Sequence, residues 1–198
     1  MTTSEYLTIA APSQAVFREK MSKFISFASP VSTAEEAKAF ISRIANEYHD
    51  ARHVCWAYML GAACADFQSN DNGEPSGTAG KPILGQIRSA GLTNIAIAVV
   101  RYFGGIKLGT SGLIAAYREA AHLAIEAAET VVMHEQAQIK VTFAYIAMNE
   151  VMRALKSSEA KILEQQFDNT CSITLTIRAD RASELSARLS AIDSTSLE

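Results

Sequence analysis

The chain has 198 residues, 48% of them hydrophobic, which is enough for one large domain or two small ones with buried cores. A formal net charge of -3 excludes a general polyanion-binding protein, because such proteins are basic overall. The three cysteines form no CxxC pair, which disfavours a disulfide framework and a structural zinc site.

The first part of the chain alternates between strand and helix patterns. Glu36 follows Thr33 at the spacing of a capping box, which predicts the start of a helix. Residues 52–60 alternate between two apolar faces, as in a strand covered on both sides. Pro82 suits the first turn of a short helix that ends at Gly91. Further predictions are strands over 6–10, over 15–31 with a break at 20–23, over 94–103 and over 131–133, a loop over 61–77, and a helix capped by Thr110 or Ser111 and running to about Glu129.

The pattern changes after residue 134, and we expect a domain boundary near residues 134–137. The order strand, helix, strand, strand, helix is that of a ferredoxin-like split β-α-β-β-α unit whose last strand is short or missing. The prediction is therefore an α+β protein with domains over 1–135 and 136–198. The elements of the second domain are strands over 139–143, 161–167 and 171–178 and helices over 148–157 and 181–191.

Two glycine-rich loops, over residues 70–82 and 101–112, each follow a strand-like run and open a helix-like run. Backbone N–H groups and the helix dipole hold anions at such junctions. Residues 76–120 carry five positive side chains and one negative one, a local charge of +4. If the two strand-loop-helix units are parallel neighbours, both loops lie at one sheet edge and form one site. The candidate anion- or partner-binding residues are Gly73, Glu74, Gly77, Thr78, Ala79, Gly80, Lys81, Arg101, Tyr102, Gly104, Gly105, Lys107, Gly109, Thr110 and Gly112.

The second loop matches two nucleotide- or RNA-binding patterns only superficially. Gly104 and Gly109 have the P-loop spacing, but Thr110 and Ser111 stand where a P-loop has Lys and then Ser or Thr. Residues 109–112 match the GxxG of KH domains, with the wrong order of flanking elements. The alternative interpretation is a tight turn that packs an alanine-rich helix onto its strand.

Two carboxylates and an imidazole are candidates for acid and base or metal chemistry. Asp71 and Glu74 lie in the first loop, and His53 lies on the preceding strand. The alternative is that residues 71–73 form a simple turn and that His53 and Cys55 are core residues. We commit to no catalytic residue, no metal site and no cofactor; if the protein is an enzyme, the residues are His53, Asp71 and Glu74.

Three runs of residues together resemble the YigZ/IMPACT family, in particular its bacterial YigZ branch. They cover residues 50–55, 71–82 and 99–113, and include Asp71-x-Gly73-Glu74-Pro75 and Arg101-Tyr102-Phe103-Gly104-Gly105. The resemblance implies an N-terminal domain of the ribosomal-protein or elongation-factor-G domain IV type and a ferredoxin-like C-terminal domain. Asn72 stands where the family commonly has a second acid, which weakens a paired-carboxylate metal site.

The resemblance implies a role in translation. Eukaryotic relatives regulate translation through a protein partner in amino-acid starvation, and a nucleic-acid or ribosome-linked role is the usual proposal for bacterial relatives. We therefore expect a translation-associated binding protein whose partner is RNA, the ribosome or a regulatory protein, with no membrane partner and no specified oligomeric state. The alternatives are an enzyme on a small phosphorylated or nucleotide substrate, and an adaptor using an open ferredoxin-like edge. The absence of a secretory signal pattern and of a membrane-length segment predicts a cytoplasmic location.

Overall fold

The computed structural model describes residues 5–168 and 170–198. The chain divides into two compact units, residues 6–133 and residues 134–198 with Glu5. It contains both helices and several sheets, so the mixed α and β content predicted from the sequence is confirmed. No helix in the described ranges is long and apolar enough to cross a bilayer. The elements up to residue 134 are β1 (Glu5–Ile9), β2 (Ser13–Glu19), β3 (Ser22–Pro30), α1 (Ala34–Glu47), β4 (His53–Leu60), β5 (Asp66–Asn70), α2 (Gly80–Ser89), β6 (Ile95–Tyr102), α3 (Gly109–Glu126) and β7 (Thr130–His134).

A five-stranded antiparallel sheet in the order β2-β3-β6-β4-β5 organises the first unit, while β1 and β7 form a separate two-stranded sheet. Helices cover both faces of the five-stranded sheet, as the double-sided apolar pattern of β4 predicted. On β6, Ile95, Ile97 and Val99 pack with α2 and α3. The alternate residues of β6 pack with α1 on the opposite face. Odd-numbered residues of β6 therefore face α2 and α3, and even-numbered residues face α1.

The prediction that residues 61–77 form a loop is wrong, because β5 lies within them. The two strand-loop-helix units are also not parallel neighbours, since β4 pairs antiparallel with both β5 and β6. Because β5 and β6 both run against β4, they point in the same direction on either side of it. Both glycine loops therefore leave the sheet at the same edge, where β4 begins.

Local signals for helix ends are only partly followed. Thr33 caps α1 by accepting a hydrogen bond from the backbone N–H of Glu36, and the Glu36 carboxylate accepts one from the N–H of Ser32. The predicted cap of α3 by Thr110 or Ser111 is wrong, because α3 begins at Gly109 and both residues lie in its first turn. Gly109 adopts a φ of 73°, which favours glycine, so the chain enters the helix through a turn that a hydroxyl residue does not readily form.

The second unit has the complete order β-α-β-β-α-β. Its sheet is antiparallel and its helices cover one face through a single apolar core. The last strand, predicted to be short or missing, is present over three residues and pairs with the first strand of the unit. These elements are β8 (Gln136–Phe143), α4 (Met148–Lys156), β9 (Lys161–Phe167), β10 (Cys171–Arg178), α5 (Ala179–Ser190) and β11 (Thr195–Leu197), in the sheet order β11-β8-β10-β9.

Candidate anion-binding pocket

A pocket of about 370 Å³ opens at the sheet edge where both glycine loops emerge. We name it the β6–α3 pocket, because the end of β6 and the start of α3 supply most of its wall. Part of its wall is apolar and part is cationic, a combination typical of sites that orient a charged ligand. The residues that line it are Arg52, His53, Glu74, Pro75, Arg101, Phe103, Lys107, Leu108, Gly109, Thr110 and Leu113.

The antiparallel register of β4 and β6 places His53 directly opposite Arg101. Arg101 has the same parity as the β6 residues that pack with α2 and α3, so it lies on the face that α3 covers. Tyr102, the next residue, packs on the α1 face instead. At the end of β6, Arg101 therefore lies on the pocket side of the sheet and Tyr102 lies on the opposite side.

Arg101 forms a buried ion pair with Glu74 from the first glycine loop. The distance from Arg101 Nη1 to Glu74 Oε1 is 2.6 Å, and the two side chains expose only 8% and 4% of their surface. Tyr117 Oη on α3 donates to the same carboxylate oxygen at 2.9 Å. Glu74 therefore ties together the first loop, β6 and α3, and it sets the position of the Arg101 guanidinium.

The thiol behind this cluster is protonated at neutral pH. Cys55 Sγ lies 2.9 Å from the carbonyl oxygen of Asp71 and 3.3 Å from Tyr117 Oη. Burial is the main reason that the pKa of Cys55 is raised to about 12; the charges of Glu74 and Asp71 also raise it, while Tyr117 and Arg101 lower it. Burial also raises the pKa of Tyr117 far above its usual value. Cys55 is accordingly a core thiol and a poor candidate for a nucleophile.

No side chain in the described part of the protein caps the start of α3. Leu108 occupies the N-cap position, and the first turn contains no acidic residue. The backbone N–H groups at the start of a helix have no partner within the helix, and the dipole adds a partial positive charge there. Gly109 and Thr110 from this turn line the pocket. An anionic ligand in the pocket would therefore lie beside helix-terminal N–H groups that no described side chain caps.

The pocket carries an excess of positive charge. Arg52, Arg101 and Lys107 are cationic and Glu74 is anionic, which leaves a formal charge of +2. Within residues 5–168 and 170–198, neither Arg52 nor Lys107 takes part in an ion pair. In the same ranges the buried Nε of Arg101 has no hydrogen-bond partner. A buried donor without an acceptor costs about 1–3 kcal/mol, so this N–H is a local cost to the stability of the fold.

The amides of the first loop already hold an anion, and it belongs to the chain itself. Asp71 Oδ2 accepts from the N–H of Gly77 at 2.8 Å, and Oδ1 accepts from the N–H groups of Ala79 and Gly80 at 2.9 and 2.8 Å. Desolvation raises the pKa of Asp71, but these three hydrogen bonds and Lys81 outweigh it and lower the pKa overall. The site that we expected for a ligand at α2 is thus filled by Asp71.

The other predicted loop residues have structural partners. Thr78 is buried and its hydroxyl donates to the carbonyl of Pro75. A Cβ at Gly80 would lie 2.7 Å from the backbone of Asn70, and one at Gly104 would lie 2.0 Å from that of Met21, so close backbone approach requires both glycines.

The remaining candidates lie outside the lining of the β6–α3 pocket. Tyr102 Oη donates to Asp50 at 2.7 Å, and this hydrogen bond raises its pKa to about 12. Gly77 and Lys81 line a separate groove between α2 and α3. The predicted residues that do not line the pocket are Asp71, Gly73, Gly77, Thr78, Ala79, Gly80, Lys81, Tyr102, Gly104, Gly105 and Gly112.

His53 has a defined tautomer at the pocket wall. Its Nδ1 lies 2.8 Å from the carbonyl oxygen of Asn72, which can only accept, so Nδ1 carries the proton and Nε2 the lone pair in the neutral ring. His53 and Glu74 both line the pocket, whereas Asp71 lies outside its lining and binds N–H groups of the first loop. Among the described residues no group of three or more His, Cys, Asp or Glu side chains is placed to hold a metal ion.

The pocket lies within the part of the chain that matches a known domain family. Residues 20–125 match the Impact N-terminal domain. The chain belongs to the IMPACT family. This confirms the resemblance predicted from the three sequence runs, and it includes every residue that lines the β6–α3 pocket.

Relatives within the IMPACT family match the chain over nearly its whole length. An IMPACT family member of Haemophilus influenzae is 35% identical over 94% of this chain and 91% of its own. The IMPACT family member YigZ of Escherichia coli is 33% identical over 98% and 96%. A solved structure described as that of a hypothetical protein superposes with a TM-score of 0.79 at 32% identity, covering 98% and 96% of the two chains. Both units of the chain are therefore shared with these relatives.

Sequence reasoning about the site missed Arg52 and the apolar wall of the pocket. Arg52 directly precedes His53 at the start of β4, and that position could have indicated a place at the loop edge. From the sequence, Leu108 and Leu113 are indistinguishable from leucines that pack a helix against a core. No local pattern distinguishes a leucine that lines a pocket from one in a core, because the difference depends on which chain segment lies opposite.

Proposed function

We propose that this protein is a translation-associated, cytoplasmic RNA-binding protein that holds an anionic group of RNA in the β6–α3 pocket. The observation that carries the proposal is one pocket whose lining has a formal charge of +2 and includes the start of α3, which no described side chain caps. RNA supplies phosphate oxygens, which are acceptors for Arg, Lys and helix-terminal N–H groups. Such contacts act locally, so they are compatible with a chain whose net charge is -3.

The architecture supports a link to translation. We propose that the first unit is of the ribosomal-protein or elongation-factor-G domain IV type and that the second is ferredoxin-like, as the resemblance implied. The second unit has the β-α-β-β-α-β order and antiparallel sheet of that class. A regulatory protein partner is the competing occupant, and it is separated from RNA by the experiment below.

The experiment measures how RNA affinity depends on salt. Arg52 and Lys107 are exposed, so replacing both with Ala removes two positive charges without opening the core. The matched control replaces Lys38 and Arg43, an exposed pair on α1 at the opposite face of the sheet. Binding of fluorescently labelled single-stranded RNA is followed by anisotropy between 50 and about 200 mM salt, the range over which phosphate contacts are lost.

The pocket variant is expected to bind RNA more weakly at low salt. Each phosphate contact contributes about 0.7 to the slope of log K against log salt for single strands, so losing two contacts reduces the slope by about 1.4. The control variant is expected to keep the slope of the natural protein. Equal affinity and slope in the pocket and control variants would contradict the proposal. If the protein instead binds a translation regulator in the absence of RNA, and replacing Arg52 and Lys107 abolishes that binding, the pocket is assigned to a protein partner.

A second candidate function is an enzyme that acts on a small phosphorylated or nucleotide substrate. The observation in its favour is His53, whose Nδ1 hydrogen bond to Asn72 leaves Nε2 as a base at the wall of a cationic pocket. Turnover of a phosphorylated substrate that is lost in His53→Gln, with RNA affinity retained, would favour this function. Turnover unchanged in that variant would exclude His53 as its base.

A further inference from the structure

The β6–α3 pocket offers more than a surface for phosphate. Its volume of about 370 Å³ lies at the lower end of the range for sites that enclose one small organic ligand. Pro75, Leu108 and Leu113 give it apolar wall, which a backbone phosphate alone does not need. A ligand that fills this pocket therefore has an apolar or aromatic part as well as an anionic one.

Phe103 is the aromatic group placed to meet such a ligand. It is 55% exposed and lines the pocket. The Arg101 guanidinium carbon lies 5.6 Å from its ring centre, so the ring stands beside the cationic part of the wall. Phe67 provides a contrast: it is 43% exposed and lies 4.4 Å from Arg88 but does not line this pocket. An exposed ring next to a cationic pocket is the arrangement on which nucleic-acid bases stack.

A few positively charged or N–H groups on the polar wall are placed to contact a phosphate. The start of α3 lies beside Lys107, and Arg52 lies at the start of β4. Arg101 also lines the pocket, and its Nη1 is held by the Glu74 carboxylate. Arg52, Lys107 and the first turn of α3 therefore line the same pocket as Phe103.

We infer that the β6–α3 pocket binds a single nucleotide unit, with its phosphate at the N-terminus of α3 and its base against Phe103. This inference rests on the proposed function, because it identifies the part of RNA that the pocket recognises. It goes further in requiring a base: a site for backbone phosphate alone would bind inorganic phosphate as well as it binds a mononucleotide. The pocket would then act on an accessible or terminal nucleotide of the RNA.

The test uses the full chain and isothermal titration with each of the four ribonucleoside 5′-monophosphates, with inorganic phosphate, and with the labelled RNA. The variants are Phe103→Ala and the conservative Phe103→Tyr. Phe67→Ala is the matched control, since it removes a half-exposed ring of the same unit outside the pocket. Circular dichroism of each variant confirms that it is folded before binding is measured.

At least one monophosphate is expected to bind more tightly than inorganic phosphate and to compete with RNA. Stacking contributes about 1–3 kcal/mol per base, so Phe103→Ala should weaken that monophosphate about 5- to 150-fold and leave inorganic phosphate unchanged. Phe103→Tyr and Phe67→Ala should bind like the natural protein.

The outcomes separate this inference from the proposed function. RNA binding that depends on Arg52 and Lys107 but not on Phe103, with no competition by any monophosphate, overturns the nucleotide inference and leaves the proposed function standing. Monophosphate binding that depends on Phe103, without RNA binding, supports the nucleotide site and overturns the proposed function. Binding of none of the probes overturns both.

Discussion

Removing the Glu74 carboxylate should destabilise the first unit strongly, because it leaves Arg101 buried without a counter-charge. The ion pair is 2.6 Å long and its two side chains are almost fully buried. Breaking such a pair from one side costs about 3–5 kcal/mol. Since the β6–α3 pocket borders the pair, water can reach part of the guanidinium, and we expect about 3 kcal/mol for Glu74→Ala, the lower end of that range.

Two further variants separate charge from packing. Glu74→Gln keeps an acceptor for Arg101 and Tyr117, so it should cost less than Glu74→Ala, about 1–2 kcal/mol. Combining Glu74→Leu with Arg101→Met removes both charges and should cost less than the two single changes added together, by up to about 3 kcal/mol. Glu119→Ala, an exposed acid on α3, is the control and should change stability by less than about 0.5 kcal/mol.

Urea unfolding followed by tryptophan fluorescence measures the free energy of unfolding of the first structural unit, residues 6–133. Trp56 is the single tryptophan of the chain and lies on β4, in the five-stranded sheet that contains Arg101. Its signal therefore reports the first unit even if the two units unfold separately. A cost below about 1 kcal/mol for Glu74→Ala, or full additivity in the double variant, would refute the view that this buried pair holds the two loops and α3 together.

Three further predictions follow from the loops and the core. Asp71→Asn should destabilise the protein by about 1–3 kcal/mol at pH 7, because it weakens three charge-assisted hydrogen bonds. Because folding lowers the pKa of Asp71, its contribution to the free energy of unfolding is complete above its unfolded pKa of about 3.9 and is lost as the pH falls through the lower folded value. A stability difference between the natural protein and Asp71→Asn that persists unchanged below that pH range would contradict this. Gly104→Ala should destabilise the protein by several kcal/mol, because the added Cβ would overlap the backbone of the turn between β2 and β3. Gly85 lies in open space within α2, so Gly85→Ala should stabilise the protein by about 1 kcal/mol in the same urea assay. Cys55, with a pKa of about 12, should resist iodoacetamide at pH 8 while the less buried Cys64 is alkylated, as mass spectrometry of peptides will show; rapid labelling of folded Cys55 would disprove its burial as a neutral thiol.

Glu74 also connects stability to binding. Its carboxylate neutralises one of the three cations that line the β6–α3 pocket. Glu74→Gln should therefore raise the affinity of the pocket for inorganic phosphate while lowering the stability of the first unit, since the pocket charge rises from +2 to +3. The two effects have opposite signs, so loss of folded protein cannot account for a gain in phosphate binding.

Strands with several apolar residues could be predicted from the sequence, and short or polar ones could not. Residues 171–178, whose side chains alternate between buried and half-buried, were predicted as a strand with the bounds that the structure shows. Residues 161–167 were also predicted with the observed bounds, although that strand is exposed along its whole length. β5 was missed because Asp66–Asn70 is polar and exposed, and it becomes a strand only because the edge of β4 supplies hydrogen-bond partners. β11, only three residues long, likewise depends on pairing with β8.

The sequence by itself determined which residues are candidates for a binding site, since Arg101, Lys107 and Glu74 stand out by their charge and by their place beside glycine loops. It also determined the family, because three long runs occur in a fixed order. Only the tertiary structure decided how those charges are used. Asp71 and Arg101 are both charged residues of the glycine loops, yet the Asp71 carboxylate accepts hydrogen bonds from the N–H groups at the start of α2, whereas Arg101 forms a buried ion pair with Glu74. Hydrogen bonds between groups far apart in the chain depend on strand order and register, and no local pattern specifies those.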